Sequence, residues 1–334
     1  MSLIFNKSDT FTGKTLLQDK AVFIFAGLAA MTAAAGFFGN DYQLRFLAEI
    51  LIFGTAVLSL DLLVGFGGLV SLGHAMFFGG AAYAAALVAQ IFGADLFVML
   101  ATGTIAGAVL ALIMGIVVMR TIALFFLILS MIVGQIGWEI IFNWRDVTGG
   151  ADGLRGLPPL TLHLGFATLE LNSGLGLFAV ALGLGLICWL AAVSFVNAPI
   201  GRALVGTRER VLRMNALGYR IPRIRLMALV VSGAIAGAAG SLFPFVNQYI
   251  GPNTVHWTTS AMMIIMLVIG GVGSLYGAFI GAAVYLGIQN YVSSYTDRWQ
   301  LVVGLIFVLT VMIMPKGIVA GVKSLFTGRS GRDA

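Results

Sequence analysis

The sequence predicts an all-α, polytopic membrane protein, and three observations lead to that fold class. Only 10% of its 334 residues are charged and 60% are hydrophobic, whereas a soluble domain carries about 25% charged residues. Many apolar runs reach the roughly 18 residues that a helix needs to cross a bilayer core. Because lipid offers the backbone no hydrogen-bond partner, these spans must be helices.

About ten apolar segments can be placed along the chain. They lie near residues 21–39, 46–64, 75–93, 96–118, 121–143, 174–196, 226–247, 259–271, 277–292 and 300–315. Around 60–80 the sequence DLLVGFGGLVSLGHAMFFGGAAY sets glycines within apolar sequence, which predicts a broken helix. Between 144 and 173, turn residues and two adjacent prolines replace helical periodicity. We expect a long loop there, with a short structured piece of its own.

The basic residues predict the orientation. With the N-terminus in the cytoplasm, 15 of the 19 lysines and arginines fall on the cytoplasmic side, and only Arg45, Arg145, Arg155 and Arg298 fall outside. Such an excess is the usual rule for membrane proteins. We therefore predict a multi-pass protein of the cell (inner or plasma) membrane with both termini cytoplasmic. Residues 1–20 would form a cytoplasmic segment, 21–315 the transmembrane domain and 316–334 a cytoplasmic tail.

The loop at residues 197–225 holds seven arginines and one glutamate. Cytoplasmic loops are basic in any case, and that rule alone can account for the charge. Yet Pro199 suits a helix start and Gly218 a helix end. The apolar residues fall at helical spacing and can form one face: Leu204, Val211, Leu212 and Leu217. A short amphipathic helix of this kind is suited to docking in a groove of a soluble partner.

Four stretches resemble, in the same order, the permease subunits of branched-chain amino-acid ABC importers, of the M-subunit kind. The longest, APIGRALVGTRERVLRMNALGYRIPRIRLMALVVSGAIAGAAGSLF, looks like the coupling loop and the next helix of that family. The others are DLLVGFGGLVSLGHAMFFGGAAYAAAL, NWRDVTGGADGLRGLP and GGVGSLYGAFIGAAV. The resemblance runs from about residue 47 to 315.

The resemblance implies an importer subunit for branched-chain or related amino acids. Its partners would be a second homologous permease subunit, two cytoplasmic ATPase subunits that bind the ATP and magnesium, and an external solute-binding protein. This chain itself would hold no cofactor. The coupling loop departs from the family at Arg210, Arg213 and Met214, where two alanines and a further acid are usual. We assign coupling to the ATPase to Gly201, Arg202, Leu204, Arg208, Glu209, Arg213, Ala216, Leu217 and Gly218.

Three carboxylates fall in predicted spans, where they are costly and usually face a cavity or a partner. For Asp61, a structural polar contact and a substrate contact are both open, whereas Glu49 and Glu139 lie near span ends, where an interfacial position is expected. His74 is expected to cap or pack at a helix start. The 144–173 loop is expected to form the outer gate and part of the binding-protein footprint. The pathway and gate candidates are Asp61, Ser71, His74, Gln135, Trp144, Thr148, Gly149, Gly150, Asp152 and Gly153.

No pattern predicts an enzyme. The TGKT at 12–15 lacks the leading glycine and the strand of a phosphate loop, and no residue cluster indicates catalysis or metal binding. Two alternatives stay open: a permease for urea, short amides or other small acids, and an ion-coupled carrier in which Asp61 or Glu139 would be essential.

Small residues predict close helix packing and a weak internal repeat. The pairs Gly103/Gly107, Gly233/Gly237 and Gly277/Gly281 have the spacing that lets helices approach each other. The set Gly68, Ser71, Leu72 and Ala75 recurs at the same spacing as Gly271, Ser274, Leu275 and Ala278. In the predicted topology both sets lie on the cytoplasmic side, which suggests a parallel repeat.

Overall fold

The computed structural model describes residues 40–119, 121, 123–163, 168–296, 298, 300–302, 304–305, 308, 312 and 317–318. The predicted span at 21–39, most of the span at 300–315 and nearly all of the two terminal segments lie outside these residues. The helices are α1 Asp41–Asp61, α2 His74–Phe92, α3 Leu96–Val118, α4 Ala123–Asn143, α5 Arg145–Thr148, α6 Gly174–Asn197, α7 Pro199–Glu209, α8 Val211–Ala216, α9 Ile221–Asn247, α10 Trp257–Gly270 and α11 Gly277–Ser293. The strands are β1 Leu154–Arg155, β2 Thr161–His163, β3 Thr168–Glu170 and β4 Tyr249–Ile250.

The all-α fold class is confirmed, and the number of spans is confirmed in part. Within the described residues, six helices are long and apolar enough to cross a membrane: α1 with the turn that follows it, α2, α3, α4, α6 and α9. Helix α10 is apolar but has 14 residues, and α11 has 17. Eight of the ten predicted segments therefore correspond to a helix in the part of the chain that the structure describes.

Polar caps fix where two of the spanning helices begin. The Asp95 carboxylate accepts hydrogen bonds from the N–H groups of Phe97 and Val98 at the start of α3. The Ser173 hydroxyl accepts one from Gly176 at the start of α6. Such caps satisfy N–H groups that have no partner within the helix. Both helices begin where the predicted spans 96–118 and 174–196 begin.

Helix α1 lies at the centre of the bundle and packs against α6, α9, α10 and α11. Helices α3 and α9 meet at their glycines, where a Cβ on Gly107 would lie 2.7 Å from the Gly237 Cα. Similarly, a Cβ on Gly281 would lie 2.9 Å from the Gly270 nitrogen. The predicted packing role of these glycines is confirmed, because the helix backbones approach too closely for a side chain.

The broken helix predicted near 60–80 is confirmed. Helix α1 continues into a π-helical turn, Leu62–Phe66, and residues 67–73 then run without helix to His74. We call residues 62–73 the first break and residues 271–276, between α10 and α11, the second break. The two breaks touch, since a Cβ on Gly65 would lie 2.8 Å from both the Cα and the nitrogen of Gly273. The repeated small-residue sets thus coincide with two breaks in contact, and the parallel repeat stays a prediction.

The arginine loop does not form the single helix that the spacing predicted. It divides into α7 and α8 because Arg210 takes an extended conformation, with φ −148° and ψ 91°. Leu204 is consequently buried, whereas Val211, Leu212 and Leu217 are exposed, so the four do not share one face. Pro199 does begin α7, and Gly218, with φ 82°, follows the end of α8. We call the end of the bundle at this loop the arginine end.

The segment at 144–173 lies at the opposite end, beyond the 24 residues of α6. It contains α5, a 3-10 turn at Gly150–Asp152, and strands β1 to β3. Strand β1 pairs antiparallel with β4, and β2 pairs antiparallel with β3. The prediction of a loop with its own structured piece is confirmed.

The glycine contact between α3 and α9 generates a stability prediction. We expect Gly237→Val to lower the free energy of unfolding by about 1–3 kcal/mol, because added methyl groups must separate two packed backbones. Thermal unfolding of the purified protein in detergent measures this. The control is Gly183→Val on α6, where a Cβ meets nothing within 4 Å. Equal losses in both variants would contradict the packing role.

Candidate functional site

The inner face of α7 rests on the first break. Leu204 is fully buried there, and a Cβ on Gly67 would lie 3.3 Å from its Cδ1. The Arg208 Nη1 donates a hydrogen bond to the carbonyl of Gly65, and a Cβ on Gly68 would lie 2.9 Å from the Arg208 Cγ. This face of α7 therefore packs against the helix bundle.

Electrostatics at Arg208 reflect this half-buried position. Burial lowers the pKa of the guanidinium, and the nearby carboxylates of Asp61 and Glu209 act in the opposite direction. An arginine keeps its charge in proteins, so a cation stands where α7 meets the first break. Asp61 is the fully buried carboxylate nearby.

The outer surface of the loop carries most of the predicted coupling residues. Gly201 and Leu204 are buried and Arg208 is half-buried. The exposed residues are Arg202, Glu209, Arg213, Ala216, Leu217 and Gly218. Among the apolar side chains, Leu212 is 85% exposed and Leu217 is 66% exposed. Leucines exposed to this extent beside arginines form a surface suited to a protein partner.

Asp61 bonds to the second break. Its side chain is 0% exposed, and its two oxygens accept hydrogen bonds from the N–H groups of Gly273 at 2.7 Å and Leu275 at 3.0 Å. Of the two alternatives that the sequence left open, this geometry favours the structural contact, because both oxygens are occupied by backbone. Gly273 and Leu275 were absent from the predicted site, although the repeated motif at 271–278 was a signal for this region.

Serines satisfy the backbone at the end of the first break. The Ser130 hydroxyl of α4 accepts from the Leu72 N–H at 3.2 Å, and the Ser260 hydroxyl of α10 accepts from the Ala75 N–H at 2.8 Å. The buried Ser71 hydroxyl accepts from the Gly73 N–H at 3.3 Å. Sequence reasoning missed Ser130 and Ser260, because isolated serines in apolar helices give no signal by spacing.

His74 packs at a helix start, in agreement with the role expected for it. It is the first residue of α2, is fully buried, and its Nε2 lies 2.7 Å from the Ser59 hydroxyl of α1. Its ring meets Phe77 edge-on, with centroids 5.3 Å apart. These contacts join α1 to α2 across the first break.

The other two carboxylates predicted in spans, Glu49 and Glu139, lie apart from the residues around the breaks, as does Gln135. Glu139 is exposed in the last turn of α4 and accepts a hydrogen bond from Asn143 at 2.8 Å. Glu49 is half-buried and lies two turns inside α1, deeper than expected, because α1 begins at Asp41. Gln135 is half-buried on α4, and its Oε1 has no hydrogen-bond partner among the described residues.

At the opposite end, Thr148 organises a tight turn. Its hydroxyl oxygen lies 2.5 Å from the Ile141 carbonyl and 2.8 Å from the Trp144 carbonyl, and it accepts from the Gly150 N–H. Gly149 and Gly150 have φ of 73° and 59°. Glycine takes these left-handed conformations without the steric cost of a Cβ.

The same turn is fastened to the loop that follows α9. Gly153, with φ 67°, packs against Ile250, and a Cβ on it would lie 2.9 Å from the Gly251 Cα. The Arg155 guanidinium lies 5.1 Å from the Tyr249 ring centroid. Trp144, 56% exposed, and Asp152 point to the surface. The predicted site residues thus form two groups, one at each end of the bundle, with Gln135 apart from both.

Comparison with known proteins identifies what the chain resembles. A family model described as "Branched-chain amino acid transport system / permease component" matches residues 42–313. The LivM permease protein of the high-affinity branched-chain amino acid transport system of Salmonella typhimurium is 26% identical over 294 residues, which cover 82% of this chain and 69% of that protein. LivM of Escherichia coli K12 is 26% identical over 280 residues, which cover 78% and 66%.

A second kind of relative aligns with a shorter part of the chain. The LivH permease protein of Escherichia coli K12 is 29% identical over 140 residues, which cover 40% of this chain and 44% of that protein. The chain spans about two thirds of the length of the LivM proteins that it matches. No solved structure matches the chain significantly.

The turn at 148–153 generates a prediction with a matched control. Gly149→Ala and Gly156→Ala both place a Cβ at positive φ, which costs about 1–2 kcal/mol. Only Gly149→Ala also drives the Cβ into the Gly153 carbonyl, since nothing lies within 4 Å at Gly156. We expect amide hydrogen exchange at 144–153 to accelerate about tenfold more in Gly149→Ala than in Gly156→Ala. Similar acceleration in the two variants would show that the turn is loosely held.

Proposed function

This chain belongs to the family of branched-chain amino acid transport permease components, and from that membership we propose that it is the membrane-spanning subunit of an ATP-driven ABC importer for branched-chain amino acids. The family match over residues 42–313 carries the proposal. That range includes both breaks, the arginine loop and the 144–173 segment. The LivM relatives are named as permeases of high-affinity branched-chain amino acid transport systems.

The proposed assembly pairs this chain with a second homologous permease subunit. Support comes from the alignment of the chain with both LivM and LivH of Escherichia coli K12, which are both named as permease proteins of the high-affinity branched-chain amino acid transport system. Two cytoplasmic ATPase subunits would supply ATP and magnesium, and an external solute-binding protein would deliver the amino acid. The arginine end and both termini would then lie in the cytoplasm, as the distribution of basic residues favours.

The exposed surface of α8 and the turn after it would dock the ATPase. Leu212, Leu217 and Arg213 offer apolar area and positive charge on a short helix. Apolar side chains supply affinity at such interfaces, and the surrounding charges fix the orientation. Glu209 and Arg202, exposed on α7, would belong to the edge of the same surface.

The 144–173 segment would serve as a fixed platform for the binding protein and as the outer gate. Its turn is held by three left-handed glycines and by the β1–β4 pairing, and Trp144 and Asp152 are exposed on it. A platform of this rigidity loses little conformational entropy when a partner binds.

The geometry of the carboxylates disfavours an ion-coupled carrier. A proton or sodium relay needs a carboxylate that gains and loses its ligand during transport. Both oxygens of Asp61 are bonded to backbone N–H groups, and Glu139 is exposed and bonded to Asn143.

Uptake into vesicles tests the proposed function directly. The chain, its partner permease, the ATPases and the binding protein are reconstituted, and labelled leucine, isoleucine, valine, urea and a short amide are offered. We expect ATP-dependent accumulation of the branched-chain amino acids that survives collapse of the proton and sodium gradients. Accumulation that follows a gradient at constant ATP, or of urea or amide alone, would contradict the proposal.

The docking surface has its own prediction. Arg213→Glu should reduce the retention of the ATPase on the purified permease, and uptake with it, by about tenfold, which corresponds to about 1.4 kcal/mol of docking free energy. The control is Arg298→Glu, the same charge reversal at an exposed position beyond α11. If Arg213→Glu retains the ATPase as well as Arg298→Glu does, the docking surface lies elsewhere.

A further inference from the structure

We propose that Asp61 is a positioning residue that transmits movement of α7 to the second break, so that docking at the arginine end repositions α10 and α11. The inference rests on the proposed function and names the route by which ATPase movement would enter the bundle. Three contacts in series carry it: α7 on the first break, the first break on Asp61, and Asp61 on the second break.

The first contact joins α7 to the π-helical turn. Arg208 donates to the Gly65 carbonyl, and Leu204 is buried against Gly67. A hydrogen bond from a guanidinium to a carbonyl has a preferred direction, and a buried leucine is closely packed. Together they hold α7 in place on the turn. A shift of α7 therefore displaces the turn that it rests on.

The second contact is covalent and short. Gly65 follows Asp61 by four residues, so the carboxylate and the carbonyl that Arg208 binds are one turn apart on a continuous helical segment. The Asp61 side chain folds toward Gly65, where an added Cβ would strike its Oδ1. Displacement of the turn at Gly65 consequently moves the Asp61 carboxylate.

The third contact fixes the second break to that carboxylate. Gly273 and Leu275 donate to separate oxygens of Asp61, at 2.7 and 3.0 Å. Leu275 has φ 49°, and it is one of two non-glycine residues with positive φ in the described chain. A leucine stays in that strained conformation only where its surroundings hold it, and the Asp61 bond is part of what holds it.

The burial of Asp61 excludes one other role, and the experiment below separates a second. A substrate contact needs access, and this side chain is 0% exposed with both oxygens occupied. A role confined to folding would leave the coupling of ATP hydrolysis to uptake unchanged. The decisive quantity is therefore the amount of amino acid taken up per ATP hydrolysed.

Asp61→Asn is the sharpest variant for the reconstituted complex. Asparagine keeps the shape but has one acceptor oxygen, so its amide N–H₂ must face one of the two backbone donors. We expect uptake per ATP to fall about five- to tenfold, while ATP hydrolysis stimulated by the binding protein stays within about twofold of wild type. Glu49→Gln removes a carboxylate from the same helix, away from the breaks, and should keep the wild-type ratio.

A distance measurement separates transmission from general damage. Spin labels at Ile200→Cys, an exposed position of α7 outside the proposed docking surface, and at Val272→Cys report the separation of α7 and the second break. The single native cysteine, Cys188, is buried and is replaced by alanine. We expect a narrow distance distribution in the assembled complex, and a broad one when Asp61→Asn is added. An unchanged ratio of uptake to ATP hydrolysis in Asp61→Asn, or an unchanged distance distribution, would overturn the inference.

A second variant tests the inference if the Asp61→Asn complex does not assemble. Arg208→Gln removes the bond to the Gly65 carbonyl from a half-buried position, and it should lower the uptake per ATP while the ATPase still co-purifies. A wild-type ratio in Arg208→Gln would likewise overturn the inference. A wild-type complex with no ATP-driven uptake contradicts the proposed function instead, so the two failures are distinguishable.

Discussion

This structure depends on one constraint: inside an apolar bundle, each backbone N–H group needs a hydrogen-bond acceptor. Two helices are interrupted within the bundle, and each interruption frees donors that lipid cannot satisfy. Asp61, Ser130 and Ser260 accept hydrogen bonds from those donors. These three buried side chains lie beside the breaks, and the same bonds tie α1, α4 and α10 to them.

The two ends of the molecule meet this constraint in different ways. At the arginine end, the polar contacts link separate helices through single side chains, so small displacements of α7 reach several elements. At the opposite end, Thr148 and three glycines close a compact turn, and β1 pairs with β4. One end is built to pass displacement on, and the other is built to hold its shape.

The sequence predicted helices, their order and the break near residue 61 because each follows from local pattern: apolar length, glycine content and caps. It did not predict the division of the arginine loop at Arg210 or the packing of Leu204 on the first break, which is a contact between segments far apart in the sequence. Nor could it pair Asp61 with Gly273 and Leu275, which lie more than 200 residues away along the chain. The spacing of residues along the sequence gives no signal for a side chain that pairs with distant backbone donors.

The π-helical turn Leu62–Phe66 holds one residue more than an α-helical turn would. One added residue rotates the rest of a helix by about 100° around its axis, and Gly67 and Gly68, which follow this turn directly, lie against Leu204 and Arg208 of α7. A chain shorter by one residue here would keep its hydropathy and its number of spans, and it would insert as before. A deletion at this point would therefore alter the contact between the first break and α7 and leave membrane insertion unchanged.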